Sequence, residues 1–151
     1  MEFIEGLFRS KTKLTVACEA VNETNPRGES IPVRVEIFNH TDTEVELRTA
    51  GVPWESFYAI EFEVKNKPGF RKFYKEGMPL SLPPTRIPAG GSIVGEVSLE
   101  EYAGGPNANE HINKMPGDYI VEALVKTFVI KERGDDEILR LRSNAFNVRV
   151  V

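Results

Sequence analysis

The chain is poor in reactive side chains: 151 residues contain one cysteine, two histidines and one tryptophan. A single thiol, Cys18, cannot form an intrachain disulfide, which fits a reducing compartment. No apolar run approaches the roughly 20 residues that a helical membrane span needs. Residues Met1 to Lys13 lack the apolar centre and small-residue cleavage site of an export signal, so a cytoplasmic location is expected. Basic excess is also missing. A formal net charge of -4 and a pI near 5.3 give no pull toward nucleic acid or anionic lipid, so neither is an expected partner. No stretch of ten or more residues keeps a helical period, and the one helical hint, Glu2 to Phe8, is short.

What the chain does have is the composition of one folded domain spanning 1–151, with 40% hydrophobic and 28% charged residues. Fifteen valines and ten isoleucines suit a pleated, half-buried surface. Val33, Val35 and Ile37 alternate with Arg34 and Glu36, and Tyr58, Ile60, Phe62 and Val64 alternate with Ala59, Glu61, Glu63 and Lys65. The same period recurs at Leu14 to Ala20, Val45 and Leu47, Ile93 to Leu99, Tyr119 to Val125, and Phe146 to Val150. Period two turns every second side chain to one face, so these runs predict strands.

Turn chemistry separates the runs, as at Asn25-Pro26-Arg27-Gly28, Asn39-His40-Thr41-Asp42, Asn66-Lys67-Pro68-Gly69 and Pro88-Ala89-Gly90-Gly91. Short strands with frequent turns predict an all-β, antiparallel, immunoglobulin-like β-sandwich of about seven to nine strands. Met115 to Tyr119 resembles the tyrosine corner of such sandwiches, in which the phenol bonds backbone just upstream. Residues Thr127 to Glu132 and Glu137 to Val151 predict a long terminal hairpin with an acidic turn at Asp135 to Glu137. Prolines in 70–88 confine that segment to an edge or a crossing loop. The Gly-, Asn- and Pro-containing segment 102–116 exceeds a usual hairpin connection.

Catalytic patterns are sparse. His40 and His111 are too far apart in sequence for the helical two-histidine zinc motif, and solvated loop positions are expected for both. No metal site and no cofactor are predicted. Ser92 after Gly90-Gly91 lacks the second glycine of a nucleophile elbow and reads as a turn entering a strand. Cys18 falls on an apolar face, where burial makes a thiol inert. Glu61 and Glu63 belong to the polar face of a strand, where exposure is expected. Neither a dinucleotide nor a Walker glycine loop is present. Asn22-Glu23-Thr24 and Asn39-His40-Thr41 match the glycosylation pattern, which arises often by chance.

Aromatic groups beside turns offer a different kind of site. Trp54, Phe57, Phe73 and Tyr74 could form a recognition patch, although a lone tryptophan also commonly plugs a sandwich core. Asn107 and His111, in the long loop, join them as protein-interaction candidates.

The order of Val33 to Thr41, Gly51 to Glu55, Phe73 to Met78, Ile87 to Ser92, Val97 to Tyr102 and Gly117 to Val121 resembles the non-catalytic N-terminal domain of deuterolysin-like and peptidyl-Lys zinc metalloendopeptidases. It covers about 30–126 and implies an immunoglobulin-like fold. It carries over no catalytic residue, because the metal-binding histidines of those enzymes lie in a separate domain. The loop from Ala103 to Met115 departs from the family's short link. A weaker resemblance, to the bacterial intracellular proteinase inhibitor family, shares the Gly-Asp-Tyr strand logic.

The expectation is therefore a non-enzymatic module that binds another protein, through loops at one end or an edge strand, as a monomer or weak homodimer. A protease inhibitor acting through an exposed loop is the alternative, with a protease as partner. A hydrolase assembled from scattered carboxylates and His40 or His111 stands third.

Overall fold

The computed structural model describes residues 14–48, 59–69, 71–73, 85–99, 111–130 and 137–151. Ten strands run through them: β1 (Leu14–Ala20), β2 (Pro32–Asn39), β3 (Val45–Arg48), β4 (Ala59–Val64), β5 (Arg71–Phe73), β6 (Thr85–Ile87), β7 (Ser92–Ser98), β8 (Gly117–Val129), β9 (Glu137–Arg142) and β10 (Phe146–Val150). Every pairing between them is antiparallel. One sheet has the order β1-β2-β7. The other is built on β8, with β4 and β3 along one side and β9 and β10 along the opposite side, and with β5 and β6 as outer strands.

The two sheets close over one apolar core, which makes the protein an all-β antiparallel sandwich. Leu14, Val16 and Cys18 of β1 and Val33, Val35 and Ile37 of β2 are buried from one side. Ile60, Phe62 and Val64 of β4, Val121, Ala123 and Val125 of β8, and Phe146, Val148 and Val150 of β10 fill it from the other. Each fully buried side chain of this size contributes on the order of 2 kcal/mol. The Phe62 and Phe146 rings meet edge to face, with centroids 6.4 Å apart.

Several elements differ from the sequence expectation. The two runs expected at Tyr119 to Val125 and Thr127 onward are one strand, β8, of 13 residues, because their inward positions share one phase. The terminal hairpin forms between β8 and β9, but the returning strand breaks at 143–145 before resuming as β10. In the proline-bearing segment, β5 and β6 are three-residue strands at the outer positions of their sheet, where few ladder donors are needed. Glu61 corrects the exposure expected of it, being only 7% exposed. β4 lies inside the sheet, so Glu61 has β8 on one side at Leu124 and β5 on the other at Phe73. The helical hint at 2–8, residues 102–110 of the long loop and the turn residues 135–136 lie outside the described residues.

Two side chains fix the crossovers between sheets. Asn39 ends β2, and its buried amide donates to the carbonyls of Thr43, Ile87 and Pro88 at 2.8, 3.0 and 3.1 Å. Its Oδ1 accepts the backbone N–H and the hydroxyl of Thr41. One side chain thereby ties the β2–β3 and β6–β7 connections together, and the amide nitrogen of the expected Asn39 acceptor tripeptide is fully engaged. At the far end of β8, the Tyr119 hydroxyl donates to the Met115 carbonyl at 2.6 Å, the bond expected of a corner tyrosine.

Candidate functional site

Of the expected interaction residues, Trp54, Phe57, Tyr74 and Asn107 lie outside the described residues. Phe73 ends β5, and its side chain is likewise outside them. His111 precedes a single 3₁₀ turn, Ile112–Lys114. It is half-buried rather than solvated, with a buried Nδ1 that has no hydrogen-bond partner among the described residues. His40 is exposed, stacks on Phe38 with centroids 6.0 Å apart, and shares a 2.7 Å hydrogen bond with the Thr15 hydroxyl. The two histidines thus occupy separate settings, and among the described residues no group of three or more histidines, cysteines or carboxylates is placed to hold a metal ion.

The edges of the three-stranded sheet carry more information. β7 pairs with β2 in a register that matches Ile93 to Ile37, Gly95 to Val35 and Val97 to Val33. Just beyond its ends, Asn39 N–H donates to the Gly91 carbonyl and Leu99 N–H to the Ile31 carbonyl. Antiparallel ladders alternate, so the odd-numbered residues 91 to 99 exchange bonds with β2. Ser92, Val94, Glu96 and Ser98 therefore aim their N–H and C=O groups away from β2, at the sheet's rim. Among the described residues nothing pairs with that rim. Of the usual guards of a rim, β7 has no lysine, no proline and no bulge, and its one charged side chain is Glu96. Val94 is 43% exposed on it.

The opposite rim of the same sheet is blocked near its centre. Val21 N–H donates to the Pro32 carbonyl, and the β1–β2 register makes Leu14, Val16, Cys18 and Ala20 the outward-aimed residues. Cys18 N–H donates to Asn144 Oδ1 at 2.9 Å, and Asn144 Nδ2 donates back to the Cys18 carbonyl at 2.9 Å. A carboxamide thus stands where a neighbouring strand would. It can do so because β9 and β10 are separated by a bulge: Arg142 matches Leu124 and Phe146 matches Val121, so three residues oppose two. Ser143 secures the bulge, its hydroxyl accepting Ala123 N–H and its own N–H donating to the Ala123 carbonyl. Asn144 is the residue that sequence reasoning missed, because nothing local marks a partner 126 positions away.

Other surfaces are chemically quieter. A pocket of about 390 Å³ is lined by residues including Glu23, Asn66, Asp118, Ile120 and Arg149. Arg149 pairs with Asp118 at 2.6 Å, a bond that holds the guanidinium pKa above its ordinary value. Asn66 spans Asp118 C=O and Ile120 N–H, so Asn66, Asp118 and Arg149 are already engaged within the pocket. Burial pushes the Cys18 thiol up to about 12, which keeps it protonated and unreactive, as its apolar position predicts. Arg142 lies 2.6 Å from Glu122, and that hydrogen bond raises the Arg142 pKa. No helix among the described residues is long and apolar enough to cross a membrane.

No family model and no curated protein matches the chain. Among solved structures it is similar to the alkylpurine DNA glycosylase AlkC of Pseudomonas fluorescens bound to DNA containing an abasic site analogue, at 12% identity and a TM-score of 0.48. That likeness covers 92% of this chain but 30% of the glycosylase chain, so the chain spans under a third of that protein's length. It is also similar to the CARDB domain of a Pyrococcus furiosus protein, at 14% identity and a TM-score of 0.42, covering 92% of this chain and 94% of that one. An AAF fimbrial structure of enteroaggregative Escherichia coli, described as binding fibronectin, shows 11% identity and a TM-score of 0.36, covering 91% and 99%.

Proposed function

We propose that this chain is a non-enzymatic protein-binding module that takes an extended segment of its partner onto β7, as an added strand of the β1-β2-β7 sheet. The observation that carries the reading is the contrast between the two rims: Asn144 occupies the centre of one, while the other presents four residues' outward backbone groups that nothing pairs with among the described residues. Added-strand binding draws affinity from main-chain bonds and specificity from alternate side chains, here Val94 and Glu96. We read the sandwich as immunoglobulin-like, supported by the Tyr119–Met115 bond and by the motif order shared with deuterolysin-like peptidases. We also read the setting as cytoplasmic, in keeping with a single thiol that has no disulfide partner within the chain. The inhibitor reading depends on loops that lie mostly outside the described residues, and no described feature favours it.

Proline at position 94 tests the reading, because it removes an outward N–H while the β2–β7 bonds stay intact. Partner capture from native lysate by the wild-type chain, followed by amide exchange on the captured complex, should show the Val94 and Glu96 amides protected. Val94→Pro should lose the partner and Val94→Thr should keep it. Equal capture by Val94→Pro, with those amides exchanging freely, would refute the rim as the binding site.

A further inference from the structure

We infer that the strand received by β7 is β7 of a second copy of the same chain, antiparallel to the first about a two-fold axis at Gly95. The inference rests on the rim reading above and names its occupant.

Residue order within β7 is what selects a second copy. The strand reads Ser92-Ile93-Val94-Gly95-Glu96-Val97-Ser98, small at both ends and the centre. With Gly95 facing Gly95 of the second copy, Val94 lies opposite Glu96 and Ser92 opposite Ser98. All four are outward-aimed residues, so each facing pair exchanges two backbone hydrogen bonds. Glu96 is the one ionisable side chain on the strand, and here it faces valine instead of its own copy. Sliding the strands by two residues either sets Glu96 against Glu96 or leaves Ser98 beyond the end of its partner. The complete register therefore sets no like charges directly opposite each other, and its two diagonals across the axis bring Val94, 43% exposed, toward Val94 and Glu96 toward Glu96 of the second copy.

Closure supplies a second, independent argument. A sheet with two open rims grows into an open-ended array, whereas a sheet with one open rim stops at two copies. Asn144 interrupts the β1 rim at Cys18, so β1 offers no continuous rim to a further strand, and pairing through β7 yields a single six-stranded sheet, β1-β2-β7-β7-β2-β1.

Charge exchange tests both the pairing and its register. Sedimentation of the full chain over a wide concentration range should show conversion from the 17.0 kDa chain to twice that mass. Val94→Glu puts carboxylates opposite Glu96 at both symmetric positions and should weaken dimerisation tenfold or more. The double variant Val94→Glu with Glu96→Lys places Glu opposite Lys twice and should restore the dimer. Position 94 is exposed, and circular dichroism verifies that each variant folds. A monomer at every concentration, or a dimer indifferent to Val94→Glu, overturns the inference. If the chain is monomeric while Val94→Pro still abolishes capture of another protein, the rim reading stands and self-pairing falls. If Val94→Pro also changes nothing in capture, both fall together.

Discussion

Cys18 shows how a side chain's setting decides its chemistry. Its thiol faces the core at 3% exposure, and its backbone is tied to Asn144. Loss of hydration raises its pKa from 9.0 to about 12, offset in part by a hydrogen bond to Ser143. The folded chain thus keeps a proton that the unfolded chain releases above about pH 9. Stability from this group is whole below that pH and declines as pH climbs toward 12. Urea unfolding of the wild type should show this alkaline decline, and Cys18→Ala should flatten it. A thiol reagent at neutral pH should label the wild type only on unfolding; rapid labelling of the folded chain would contradict the buried thiol.

The strands themselves were legible because period two survives in β1, β2, β4, β8 and β10, where one face is apolar and buried and the other is more exposed. The short β5 and β6 carry too few residues to show any period. What joins the strands was illegible for a different reason. Asn39 and Asn144 look like ordinary turn residues, yet each uses its carboxamide as a piece of backbone for segments far away in sequence. Glu61 was misread because alternation places it on the polar face of β4 but does not show what surrounds that position, and Glu63 on the same face keeps a side chain 43% exposed. The open rim of β7 shared this obscurity, since alternation predicts a strand but not its neighbours.

Asn144→Ala probes the bulge that links β9 and β10. Removing the carboxamide leaves Cys18 N–H and C=O without their partner, so stability should drop by about 1–3 kcal/mol. Amide exchange at Cys18 should accelerate while the Val121 region of β8 stays protected. The β1 rim would also open, and light scattering should then report species larger than a dimer. Unchanged exchange at Cys18 would show that the carboxamide does not guard that rim.

Across the whole molecule, neither sheet has a core of its own. The apolar faces of β1 and β2 join those of β4, β8 and β10 in one buried cluster, and the Phe62–Phe146 contact belongs to that shared interior. A sandwich of this kind loses both sheets together, because separating them exposes both apolar faces at once. Phe62→Ala removes a fully buried ring and should lower stability by roughly 3–5 kcal/mol. Two local reporters can follow the outcome: thiol labelling of Cys18 in the three-stranded sheet, and amide exchange of the Val121 region in the other. Both should move to lower urea concentration by the same amount, with coincident transitions in wild type and variant. A shift in the Val121 transition alone would mean that the β1-β2-β7 sheet holds together without its partner, and that neither the common core nor the bonds of Asn39 couple the two layers.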